Sequence, residues 1–198
     1  MAIQYILKEF CDDDNNTQKK TMLELGCGLG VPGMILHGVL GWNVVLTDKD
    51  PLPKQLENNA KANFENAYGN TIQAHELDWS REGVQHLIQQ RYFASSEENS
   101  DSCSSHEGFD LVLNCDCVYE PLYGLSWKLL VETMDELLRI NPNTIMITCL
   151  ERRKADGVDN FLEALHQSTH VSRVERVTSF ESDFPEVQLF RAYGLATT

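Results

Sequence analysis

Basic residues are scarce in this chain. Its 198 residues include 16 Lys and Arg against 30 Asp and Glu, a net charge of −14. Binding a phosphate backbone needs a basic face, so the balance argues against DNA or RNA as a partner. It disfavours an anionic membrane surface for the same reason. A basic protein partner fits, and so does plain solubility. No apolar run approaches the roughly 20 residues of a membrane span. The six cysteines (Cys11, Cys27, Cys103, Cys115, Cys117 and Cys149) form no CxxC pair, and no signal-peptide pattern precedes them. Reduced thiols in the cytoplasm or nucleus are the simplest account. His166 and His170 stand four apart, but Gln167 follows the first where a zinc motif places an acid. The pair is expected to be incidental surface, and no metal site is expected.

What is present is an alternation of strands and helices. Strands are expected at Thr21–Leu25, Asn43–Thr47, Thr71–His75, Phe109–Cys115 and Thr144–Cys149. Several are almost wholly apolar, which implies burial on both faces, as in a parallel sheet. Helices are expected at Ile3–Phe10, Val31–Val39, Leu52–Asn63, Val84–Tyr92, Ser126–Arg139 and Val158–Gln167, with Ile3–Phe10 packed on the first strand's side. Pro32 stands where a first helical turn tolerates proline, and Asn141-Pro142 stops the helix at Ser126–Arg139. The last two strands, Val171–Ser179 and Val187–Tyr193, follow each other closely and form an antiparallel hairpin. The expected fold is α/β: a Rossmann-like, doubly wound, seven-stranded sheet, mostly parallel with an antiparallel C-terminal hairpin. The length fits one domain over residues 1–198. Residues 94–108 are rich in Ser and acids and lack Lys and Arg, so they read as a flexible acidic surface insertion, with a docking loop for a basic partner as the alternative.

The first strand ends in Glu24-Leu-Gly26-Cys-Gly28-Leu-Gly30-Val-Pro-Gly33. Such a turn lets a ligand approach the backbone, and the helix behind it offers free N–H groups. Two cofactors compete for it. Gly28, Gly30 and Gly33 match the GxGxxG dinucleotide fingerprint, with Asp48 on the ribose of NAD. An acid, one residue, then Gly-x-Gly-x-Gly is instead the first motif of S-adenosylmethionine (SAM) methyltransferases. Glu24 favours SAM, because a carboxylate suits an ammonium and a sulfonium and repels a pyrophosphate. Glu24 could equally steady the loop by holding the helix N-terminus. Asp48 could accept both ribose hydroxyls. Asp116 and Tyr119, with Tyr123 nearby, fall past the carboxyl end of the fourth strand, where open α/β sheets bind ligands. There they could orient an amine, or cap a helix and fill core. Cys115 and Cys117, two apart on one strand, are expected to share a face as packing residues, with no basic neighbour in sequence to lower a thiol pKa.

Glu24–Gly30, Thr47-Asp48, Leu77-Asp78-Trp79 and Asp116-Cys-Val-Tyr119 together resemble the class I methyltransferases, and more narrowly the family-16, DxxY-type protein-lysine methyltransferases. The similarity runs from about Ile3 to the closing strand. The resemblance implies SAM contacts at Glu24, Gly26, Gly28, Asp48, Trp79 and Cys115, with Trp79 against the adenine and Asp78 beside it. It implies that Asp116 and Tyr119 shape a lysine channel and that S-adenosylhomocysteine is the product. It also implies a monomer acting on a protein lysine, as members do on chaperones, ATPases and elongation factors. Methylation of a small molecule or another nitrogen, and a non-catalytic SAM-binding module, are the alternatives. Members carry an N-terminal segment whose aromatic touches the cofactor, whereas this sequence begins almost at the first helix. They also usually have a smaller residue than Cys115 before the DxxY aspartate.

Overall fold

The computed structural model describes residues 1–10, 19–96, 108–179 and 185–195. The strands are β1 (Thr21–Leu25), β2 (Asn43–Asp48), β3 (Ile72–Glu76), β4 (Leu111–Cys115), β5 (Ile145–Glu151), β6 (Val171–Val177) and β7 (Val187–Gly194). They form one sheet in the order β3-β2-β1-β4-β5-β7-β6. The first five pair in parallel, and β7 inserts antiparallel between β5 and β6. The expected doubly wound sheet with its antiparallel end is therefore observed. The turn of the hairpin and most of the acidic stretch at 94–108 lie outside the described residues, as do Cys11 and Cys103.

Side-chain alternation along the buried strands feeds two cores. Met22, Val44, Leu46, Leu111, Leu113 and Ile147 point to one face, where α1 (Ala2–Phe10), α2 (Val31–Leu40) and α3 (Leu52–Phe64) cover them. Leu23, Leu25, Val45, Val112 and Met146 point to the other, under α4 (Arg81–Ser96), α6 (Trp127–Ile140) and α7 (Val158–His166). Two-faced burial is the reason the strands lack polar alternation. The α1 helix buries Ala2, Tyr5 and Ile6 on the same face as Met22, as expected. It rests on α2 and β5.

Most element limits fall within three residues of expectation. The α4 helix starts earlier because the Ser80 hydroxyl accepts the Gly83 N–H at 2.9 Å, a side-chain cap. A short helix, α5 (Glu120–Tyr123), followed by a 3-10 turn at Gly124–Ser126, was not anticipated and fills the space between β4 and α6. His166 and His170 are not a pair: His170 gives its backbone N–H to Asp135 at 2.8 Å, and its ring Nδ1 lies 3.1 Å from the same carboxylate.

Candidate active site

The site lies where the carboxyl ends of β1, β2, β4 and β5 meet. Gly26, Gly28 and Gly30 all have positive φ (58°, 56° and 75°), a conformation only glycine adopts at little cost. They serve different ends. A Cβ on Gly30 would stand 2.9 Å from Leu46 Cδ1 and 3.0 Å from Leu56 Cδ2, so this glycine seats the loop on the core. A Cβ on Gly26 would meet Cys117 Sγ at 2.9 Å and the Trp79 ring at 3.0 Å. Around Gly28 nothing lies within 4 Å. Gly28 is thus the half-buried crest of the loop, with space beside it where a bound group can reach bare backbone.

Two acids support this loop. Glu24 is buried, and its Oε2 accepts the Gly33 N–H at 2.8 Å, tying β1 to the first turn of α2. Burial pushes its carboxyl up to about 8, against the lowering effect of that hydrogen bond, and nearby Asp48 adds to the rise. The loop-steadying role is therefore the one its geometry displays. Asp48 ends β2 with Oδ2 accepting the Gly28 N–H at 2.8 Å and Oδ1 accepting the Lys49 N–H at 2.8 Å. A carboxylate has about four acceptor positions, so Asp48 keeps capacity for hydroxyl donors beside the crest. Trp79 follows β3 and lays its indole against Gly26 while its other side packs on the core. Among the described residues, no hydrogen bond or ion pair links the Asp78 side chain to this cradle.

The DxxY segment is held to the same place. The parallel register sets Leu25 beside Asn114, and the Cys117 thiol donates to the Leu25 carbonyl across the gap at 3.4 Å. Asp116 has φ 55°, a left-handed conformation rare outside glycine and tolerated by Asp. That turn corrects one expectation: Cys115 and Cys117 do not share a face. Because the strand ends at Cys115 and Asp116 reverses the backbone, Cys117 joins the α6 core and Cys115 the α1–α2 side. Burial, reinforced by Glu24, pushes Cys117 up to about 12, and burial raises Cys27 also. Cys115 instead faces Cys149 across the β4–β5 pair. Hydrogen bonding between the two thiols raises Cys115 and lowers Cys149, the backbone N–H of Ala2 adding to the lowering.

The sequence pattern missed Arg153. Its Nη2 lies 2.8 Å from Asp116 Oδ2 and its Nη1 3.2 Å from Asp116 Oδ1, a bidentate pair. The same Nη2 reaches Glu151 Oε2 at 2.5 Å, and the guanidinium stands 5.0 Å from the Tyr119 ring centroid. Asp156 fixes this loop: its Oδ2 accepts the Arg153 N–H at 2.9 Å and its Oδ1 accepts the Val158 N–H at 3.0 Å. Arg153 lies just past the end of β5, so strand-end position was an available signal. Thr47, which the sequence named beside Asp48 without a role, supports the loop as well. Its hydroxyl donates to the Glu24 carbonyl at 2.7 Å and locks β1 to β2 beside the loop.

A glycine crest with open space beside it, a carboxylate at its side and an indole at its base fit a nucleoside-bearing cofactor. With seven strands ending antiparallel, this arrangement defines the class I SAM-dependent methyltransferases. Residues 1–168 match the model of a family described as lysine methyltransferase, and the chain belongs to that family. It is 35% identical over 142 residues to "Secreted RxLR effector protein 48" of Plasmopara viticola, covering 71% of this chain and 68% of that one. It is 28% identical over 155 residues to the protein N-lysine methyltransferase METTL21A of Danio rerio, covering 78% of this chain. It spans 60% of that relative's length. The magnesium protoporphyrin IX methyltransferase ChlM from Synechocystis, solved with bound SAM, superposes with a TM-score of 0.54 at 14% identity, over 98% of this chain and 78% of that one. That likeness concerns the fold.

Proposed function

We propose that this chain transfers a methyl group from SAM to the Nε of a lysine in a protein substrate. The observation that carries the proposal is the convergence of the two motifs. The glycine crest and the DxxY turn leave adjacent parallel strands side by side, bound together by the Cys117–Leu25 contact. Gly26, Gly28, Asp48 and Trp79 would hold the cofactor, with Cys115 at the end of the adjacent β4 and Glu24 acting through the loop. When bound, SAM supplies an electrophilic methyl on a sulfonium.

The residues then have a positioning task, which can contribute several kcal/mol to lowering a barrier. Asp116 and Tyr119 offer a carboxylate and an aromatic face at the mouth, the pair of groups that receives an alkylammonium. The lysine must lose its proton before it can react. Asp116 is 46% exposed, so the proton can pass to water beside it. The freed lone pair forms the N–C bond while the S–C bond breaks and its electrons stay on sulfur. The acidic surface supports a protein partner with basic character around the lysine, of the chaperone, ATPase or elongation-factor type. Free thiols at Cys27, Cys115, Cys117 and Cys149 support a reducing cytoplasmic or nuclear setting.

The test is titration calorimetry with SAM, followed by incubation with methyl-labelled SAM and a protein extract. The expected outcome is binding, then label recovered as methyl-lysine. Binding with label only on small molecules, or with no transfer, would overturn the lysine assignment.

A further inference from the structure

We infer that Arg153 is a positioning residue of the methyl acceptor site, which lowers the proton affinity of the bound lysine through its grip on Asp116. The inference rests on the lysine methylation proposed above. A carboxylate alone serves that reaction poorly. It attracts the ammonium, but an adjacent negative charge raises an amine's pKa and keeps the proton on. Two carboxylates, Asp116 and Glu151, converge at the ends of β4 and β5, and without a counter-charge both would act on the incoming amine. Arg153 takes both oxygens of Asp116 and one of Glu151. Its guanidinium also lies over Tyr119, the other group expected to line the channel.

Among the described residues, several neighbouring charged groups pair elsewhere. Arg152, on the same loop, pairs with Asp156 and Asp159 of α7. From α5, Glu120 accepts the Trp127 indole N–H at 2.8 Å. The thiols of Cys115 and Cys149 face each other on the α1 side. Arg153 is thus, among the described residues, the cation that pairs with both Asp116 and Glu151. It is also held in place: Asp156 anchors its backbone, and the guanidinium fork matches the carboxylate plane in a way an ammonium does not. With this guanidinium close by, an entering ammonium gives up its proton at lower pH than beside Asp116 and Glu151 alone.

The test compares wild type, Arg153→Gln and Arg153→Lys in the rate of labelled methyl-lysine formation in a protein extract, at saturating SAM, from neutral pH to about 9.5. SAM affinity and the unfolding midpoint of each variant report that the protein is folded. For R153Q the acid limb of the rate profile is expected to move up by about one pH unit, a loss of about tenfold near neutrality that is regained at high pH. R153K should fall between the two. A uniformly slower R153Q with an unmoved limb would make Arg153 a structural brace and overturn the inference. A faster R153Q at neutral pH would mark the guanidinium as an obstruction and overturn it as well. Failure of wild type to form methyl-lysine would remove the lysine assignment itself, and this inference with it. A wild type that forms methyl-lysine confines any failure to Arg153.

Discussion

At the scale of single residues, the site is built from groups in unfavourable states that their neighbours correct. Glu24 is an acid in a dry place. Its folded pKa of about 8 lies above the unfolded carboxylate range, so the folded protein holds a proton that the unfolded chain releases. The sign follows: the contribution of Glu24 to stability is full below about pH 4 and declines as pH rises toward 8. In Glu24→Gln the amide oxygen can still accept the Gly33 N–H and no charge need be buried. Urea unfolding of the ligand-free protein should therefore show wild type losing stability between pH 5.5 and about pH 8 while E24Q does not. Parallel pH curves for the two would contradict the burial argument. The glycines make a second contrast. Gly28→Ala adds a methyl in open space on a left-handed backbone, costing about 1 kcal/mol of stability, but the methyl stands on the crest. SAM affinity should fall about tenfold or more by calorimetry. Gly30→Ala drives a methyl into Leu46 and Leu56, so its larger effect should be on the unfolding midpoint.

At the scale of elements, function sits in the connections, and these differ in how plainly the sequence announces them. The β1–α2 loop was legible because spaced glycines in one turn have few other uses, and the β4 end because Asp116 and Tyr119 follow an apolar run. The strands were legible because burial on both faces leaves an uninterrupted apolar pattern. Arg153 was marked only by its place past a strand end, since its partner Asp116 lies 37 positions away and meets it only through β4–β5 pairing, which no local pattern encodes. The opposite placement of Cys115 and Cys117 was hidden for a similar reason: a left-handed aspartate breaks the period of two, and aspartate adopts that conformation rarely enough that pattern reading assumes a strand. The 152–157 loop also yields a prediction. Asp156 is buried and satisfies two backbone N–H groups, at Arg153 and Val158. Replacing it by Ala leaves those donors unpaired and should cost about 2 kcal/mol. It should also slow methyl transfer through the displaced Arg153. An Asp156→Ala protein with wild-type stability and rate would show that the loop needs no such anchor.

At the scale of the whole molecule, the sheet order places four strand ends at one mouth, and the net charge of −14 gives the chain as a whole a negative field. Such a field steers a basic protein surface and is screened within about 8 Å at physiological salt. Raising salt from about 50 to about 500 mM should therefore weaken transfer to protein lysines while leaving SAM affinity nearly unchanged. Equal salt response of the two would argue against electrostatic recruitment. The central claim is that the Asp116 turn receives the lysine while the glycine crest receives the donor. Asp116→Asn tests it most directly, because Asn tolerates the same left-handed backbone and removes the charge. With methyl-labelled SAM and a protein extract, D116N should bind SAM within about threefold of wild type and lose methyl-lysine formation by about a hundredfold, an effect of roughly 2.7 kcal/mol on the barrier. A D116N protein that forms methyl-lysine at the wild-type rate would contradict the account.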